Sequence, residues 1–116
     1  MKTGSFFEYI GPGRVSIARS APRKTPAGFR VYRALAPGPW FKSVDEAEYR
    51  VRYDRQLSDL DPQRVWDDLH VLAGGAEPVL LCWERKRDLE AGRAFCHRRI
   101  AAAWFAVALG HDVPET

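Results

Sequence analysis

The chain has 116 residues, 46% hydrophobic and 28% charged, with a formal net charge of +3. That length fits one domain over residues 1–116, able to bury roughly two-thirds of its unfolded surface in a single core. The composition is that of an ordinary globular protein, and no apolar run approaches the roughly 20 residues of a membrane helix, so no membrane partner is expected.

The opening Met1-Lys2-Thr3-Gly4-Ser5 lacks a long apolar stretch, so no secretory signal is expected. Gly11-Pro12-Gly13 punctuates the start, and no Gly-Lys-Ser/Thr follows to make it a phosphate loop. Residues 14–18 alternate around β-branched Val15 and Ile17 and predict the first strand. Residues 20–28 are rich in Pro, Gly and basic side chains and predict a loop. Residues 32–41 contain Pro37-Gly38-Pro39 and predict largely irregular structure, of a length often used for function.

Ser43 with Glu46 three residues later predicts a capping box. Tyr49, Tyr53 and Leu57 then mark one helical face. Asp61-Pro62 predicts a second helix, with Asp as N-cap and Pro in the first turn. Val65, Leu69 and Leu72 form its stripe, and Gly74-Gly75 ends it. Residues 79–83 are continuously apolar, as in a strand covered on both faces. The last helix places Cys96, Ile100, Trp104, Val107 and Ala108 on one face, with Gly110 as C-cap and Val113 at the start of a short final strand. Strands separated by helices predict a small Rossmann-like α/β fold, a three-layer or incomplete parallel sheet of three to four strands flanked by helices.

Charge is uneven. Residues 1–43 carry eight Lys/Arg and one acid, Glu8; the remainder carries ten Lys/Arg and fourteen acids. The basic third suits either a phosphate-bearing partner, including nucleic acid, or a solvated arginine-rich surface. Two cysteines make no disulfide framework, and a reducing cytoplasm is the expected setting. Whether Cys82 and Cys96 ever bond is left open by their spacing.

The chemistry gathers between those cysteines. Cys82 and Glu84 stand at the end of the apolar strand, and Cys96-His97-Arg98-Arg99 open the last helical segment. In α/β proteins a strand's carboxyl end beside a helix start is where ligands bind. If the helix begins near Cys96, Arg98 and Arg99 face the positive end of its dipole, and a bound anion would relieve the mismatch. If it begins near Asp88, the arginines are mid-helix solvated charges, although Gly92 weakens such a helix. Cys96 reads either as a small buried hydrophobe or as a thiolate favoured by the helix start and its basic neighbours. Cys82 reads as packing or as part of the same pocket. Glu84 is either a proton-transfer group or a surface glutamate. Cys82, Glu84, Cys96 and His97 include zinc donors, but adjacent Cys96 and His97 diverge on a helix and no second His or C-x-x-C supports them, so no metal is expected.

Val15-Ser16-Ile17-Ala18-Arg19 with Pro22, then Leu80-Leu81-Cys82-Trp83-Glu84, then Phe95-Cys96-His97-Arg98-Arg99, resemble the domain-of-unknown-function family numbered 488. The resemblance spans nearly the whole chain. It implies a Rossmann-like domain in which Arg19, Cys82, Glu84, Cys96, His97 and Arg98 line one pocket, and it implies no particular activity or cofactor.

Three functions compete. The first is an enzyme-like pocket for a phosphate-bearing, nucleotide or nucleic-acid-derived ligand, with Arg19, Arg98, Arg99 and Cys82 binding it and Cys96, Glu84 and His97 as the catalytic groups. The second is a non-catalytic nucleic-acid-binding module built on the basic third. The third is a buried polar network of Glu84, His97 and Arg98 that only fixes the fold.

Overall fold

The computed structural model describes residues 1–116, in which four strands form an all-parallel sheet. The strands are β1 (Lys2–Ser5), β2 (Arg14–Ser16), β3 (Arg30–Val31) and β4 (Val79–Cys82), in the order β1-β4-β2-β3. β4 therefore enters last and fills the gap between β1 and β2. Val79 to Cys82 are all buried, as the unbroken apolar run requires. The register pairs Ser5 with Cys82 and Ser16 with Leu81, so the carboxyl ends of β1, β2 and β4 lie side by side.

The expected first strand is thus the second. β1 and β3 carry little apolar alternation, and their strand character comes from pairing. Thr3 is fully buried and also bridges to Glu115, which places the chain's end against β1. Gly13 fixes how β2 meets β4: its φ is 80°, a side chain there would collide with the Glu77 carbonyl, and its own carbonyl accepts from the Val79 amide at 2.8 Å.

Four helices follow: α1 (Glu46–Ser58), α2 (Pro62–Leu72), α3 (Lys86–Glu90) and α4 (His97–Leu109). The N-cap of α1 is Asp45, not Ser43; its carboxylate accepts from the Glu48 amide at 2.8 Å. Ser43 instead donates to the Trp40 carbonyl, closing the 3₁₀ turn Pro39–Lys42. The cap of α2 is as the sequence predicts, with Asp61 accepting from the amides of Gln63 and Arg64. Tyr49, Tyr53 and Leu57 are buried as one stripe, and Val65 and Leu69 as another. The irregular segment after β3 is tied to α1 through side chains: Tyr53 Oη donates to the Leu35 carbonyl at 2.7 Å and Gln56 Nε2 to that of Ala36 at 2.6 Å.

The face of α4 differs from expectation. Ile100 is buried as predicted, but with Ala101 and Phe105 rather than Val107, which is 88% exposed. The helix starts one residue after Cys96 and must pack on α1, α2 and the sheet together, which selects the His97, Ala101, Phe105 row. α1, α2 and α4 share one core with Val15, Ile17 and Leu80. The alternate residues Val79 and Leu81 point to the other face, where Phe6, Ala18, Tyr9 and Phe29 cover them without a long helix. The sheet is therefore of the incomplete rather than the three-layer kind. No helix is long and apolar enough to cross a membrane.

Candidate functional site

A cavity of about 360 Å³ opens at the carboxyl ends of β2 and β4. Its floor is Cys82, Cys96 and His97, its wall includes Glu84 and Tyr49, and Arg19 and Lys42 are exposed at its mouth. Phe41, Phe95 and Trp83 add aromatic surface.

The last helical segment is split, which resolves the helix-start question. α3 ends at Glu90, Gly92 takes φ 70°, and Asp88 closes the turn by accepting from the Arg93 side chain. α4 then begins at His97 with Cys96 as its N-cap residue. No acid occupies the first turn and no side chain caps it. The backbone at Cys96 is extended (φ −141°, ψ 139°), so Cys96 and His97 are not successive helical residues. Their side chains converge instead of diverging, which removes the geometric objection to a shared site.

The two sulfurs are bonded as a disulfide, Cys82–Cys96, so the chain holds no free thiol in this state. Both are buried. His97 Nδ1 lies 3.6 Å from Cys82 Sγ and 3.8 Å from Cys96 Sγ. Its Nε2 is 2.6 Å from the Ile17 carbonyl oxygen. A carbonyl only accepts, so Nε2 carries the hydrogen and a neutral ring turns the Nδ1 lone pair to the sulfurs. Burial pushes the His97 pKa down to about 4, against the hydrogen bond to Ile17, so the ring is neutral at pH 7. Glu84 Oε2 is 3.0 Å from Cys82 Sγ, and burial raises the Glu84 carboxyl above its usual range. Cys82, Cys96 and His97 hold their donor atoms within 4.8 Å of one another, a set that could ligate a metal only once the disulfide is reduced.

The arginines divide. Arg19 lies at the cavity mouth, with Nη1 donating to the Pro37 carbonyl at 3.2 Å. Arg98 and Arg99 do not line the cavity, contrary to the expected anion-binding role. Arg98 is buried; Nη1 donates to the Glu84 carbonyl at 2.5 Å and Nε stands 3.4 Å from a Glu115 carboxylate oxygen. Arg99 grips the same carboxylate in bidentate fashion at 2.9 and 2.7 Å. The anion expected at the start of α4 is therefore the protein's own Glu115. Glu115 is seventeen residues from Arg98 and carries no local motif, so no sequence signal marks it. Arg98 is held by the Glu84 backbone carbonyl and by Glu115, with no hydrogen bond to His97 or to the Glu84 carboxylate.

Sequence reasoning also missed Tyr49, Lys42 and Trp83 at the cavity. Tyr49 is one of the core stripe, and only the fold places it across from Phe95 at 4.9 Å and within the field of Glu84. Comparison with known protein families, curated proteins and solved structures returns no match.

Proposed function

We propose that this cavity takes an anionic, phosphate-bearing ligand of nucleotide or nucleic-acid-derived chemistry, and that the Cys82–Cys96 pair performs thiol chemistry on it. The observation that carries this reading is the convergence of both sulfurs and a neutral imidazole on the floor of a cavity with two exposed cationic side chains at its mouth that no carboxylate pairs. Arg19 and Lys42 would hold the phosphate, and the aromatic wall of Phe41, Phe95 and Trp83 offers faces for a base. In a reducing cytoplasm the pair stands as a dithiol. Cys96 is then the nucleophile, because the uncapped amides of α4 favour its thiolate. His97 Nδ1 accepts the thiol hydrogen and orients the sulfur. Glu84, whose carboxyl burial raises above its usual range, serves proton transfer beside Cys82 Sγ. A place in the family numbered 488 belongs to the same reading, since its Cys-His-Arg and Leu-Cys-x-Glu elements meet here.

The test is binding of a panel of nucleotides, phosphosugars and short oligonucleotides to reduced protein at low salt. Phosphate-bearing ligands should raise the melting temperature, and Arg19→Ala should reduce the effect. An unchanged melting temperature across the panel would sink the proposal. Alkylation of Cys96 against pH is the second arm: a thiol pKa well below that of free cysteine is expected, and an ordinary one removes the nucleophile role.

A further inference from the structure

From the donor geometry we infer that the reduced Cys82, Cys96 and His97 form a binding site for zinc(II), with the fourth coordination position open to the cavity beside Glu84. The inference goes beyond the anionic ligand and does not depend on it.

Three observations converge. The first is distance. A tetrahedral zinc with Zn–S of about 2.3 Å and Zn–N of about 2.0–2.1 Å has sulfur-to-nitrogen edges of about 3.5 Å. His97 Nδ1 stands 3.6 and 3.8 Å from the two sulfurs, close to that edge length, and reduction frees the bonded sulfurs to separate to the sulfur-to-sulfur edge of about 3.8 Å. The Cα atoms of Cys82 and Cys96 are 7.1 Å apart. Disulfide-linked residues usually hold theirs at about 4.4–6.8 Å, so the backbone need not open for the reduced sulfurs to move apart.

The second is orientation. A zinc-bound histidine ordinarily donates its other ring N–H to a carbonyl or carboxylate, which fixes tautomer and ring plane. His97 Nε2 is anchored to the Ile17 carbonyl at 2.6 Å, and the ring is packed edge-on against Tyr53. A buried imidazole that only filled space would need no lone pair aimed at two sulfurs.

The third is the donor set and its access. Two thiolates and one neutral imidazole form a three-protein-ligand set of the kind that leaves zinc one open position. Glu84 Oε2, 3.0 Å from Cys82 Sγ, or a cavity water completes the tetrahedron. The cavity supplies the entry path.

The disulfide and the metal site are then two states of one sulfur pair. Opening the disulfide takes two electrons and two protons. A trialkylphosphine with water supplies them and leaves as the phosphine oxide. Zinc binding then displaces the two thiol protons to solvent. The metal-bound state holds the Cys96 sulfur away from electrophiles.

The test uses the full chain, reduced with such a phosphine, freed of it and kept anaerobic. Cobalt(II) should add one equivalent, with a thiolate-to-metal charge-transfer band and the strong visible bands of tetrahedral cobalt. Zinc should displace it, and zinc should slow alkylation of Cys96. Oxidised wild type should bind neither metal, a control that needs no substitution. Cys82→Ser and Cys96→Ser should each remove part of the charge-transfer intensity, and His97→Ala should weaken zinc at least about tenfold. Absence of the band in folded, reduced wild type overturns the inference. So does an alkylation rate unchanged by zinc, or an affinity that His97→Ala leaves alone in a variant with native circular dichroism. If the variants fail to fold, the oxidised and reduced wild type and the alkylation rates decide. No phosphate-bearing ligand is present, so a negative result leaves the cavity's anionic ligand standing, and a negative ligand panel leaves the metal standing.

Discussion

Four consecutive residues at the start of α4 serve two unlike regions. Cys96 and His97 turn toward the cavity, where His97 lies against both sulfurs. Arg98 and Arg99 turn toward the chain's end, where both meet Glu115. The first region is a floor of soft donors opening to a cavity; the second is a charge cluster in which Glu115 is hydrogen-bonded to Arg99 and ion-paired with Arg98, whose buried Nε keeps no hydrogen-bond partner. An Arg-rich helix start therefore does not by itself make an anion site. What distinguishes a binding group from a structural one is whether the fold has supplied its partner. Arg19 and Lys42 remain exposed at the cavity mouth, while Arg98 is buried with its counter-charge.

The largest effect should separate the two regions by stability. Glu115→Ala leaves the buried Arg98 guanidinium without its counter-charge and should cost about 3 kcal/mol, near the low end for a broken buried pair because solvent reaches Glu115. Urea unfolding measures it. A loss below about 0.5 kcal/mol, the scale of ordinary surface changes, would show that the cluster does not hold the fold.

Acid should act on the regions in two different windows. His97 has a folded pKa of about 4, below its ordinary 6.5, so folding excludes its proton. Its contribution is full above pH 6.5 and is lost as pH falls toward 4. Glu115 is held below the usual carboxylate range, first by its hydrogen bond with Arg99, so its contribution is present above that range and is lost only in stronger acid. For oxidised, metal-free protein the urea midpoint should drop between pH 6.5 and 4, and His97→Gln should flatten that limb. Glu115→Gln should flatten only the more acidic one. A midpoint constant down to pH 4 would contradict the buried, neutral imidazole.

Smaller effects sharpen the contrast. Arg99→Ala removes a half-exposed bidentate pair and should cost about 1 kcal/mol or less. Arg19→Ala should change stability by no more than about 0.5 kcal/mol, because the side chain is exposed, while lowering affinity for phosphate-bearing ligands. If Arg99→Ala lowered that affinity equally, the two regions would not be functionally distinct.

Much of the site was legible because its signals are local. The apolar run through Cys82 marks the buried strand that ends at Cys82 and sets Glu84 just past the sheet's carboxyl end. Gly92 marks the break that frees α4 to begin at His97. The expected divergence of Cys96 and His97 failed for an equally local reason: it assumed Cys96 was helical, whereas a residue in the N-cap position has extended backbone and sends its side chain elsewhere. The capping box failed because two acceptors stood two residues apart, and the 3₁₀ turn before α1 used Ser43.

What the amino-acid sequence determined by itself is the set of elements built from near neighbours: the Tyr49, Tyr53, Leu57 stripe, the Asp61-Pro62 start, the buried β4 and the Gly110 end of α4. Periodicity, capping and backbone φ act over a few residues, so they can be read along the chain. Only the tertiary structure decided that Lys2–Ser5 is a strand, that Glu115 answers Arg98 and Arg99, and that His97 fastens to the Ile17 carbonyl eighty residues away. Those partners are joined by sheet pairing and by packing of α4 on the sheet, and such contacts leave no periodic trace between the residues they unite.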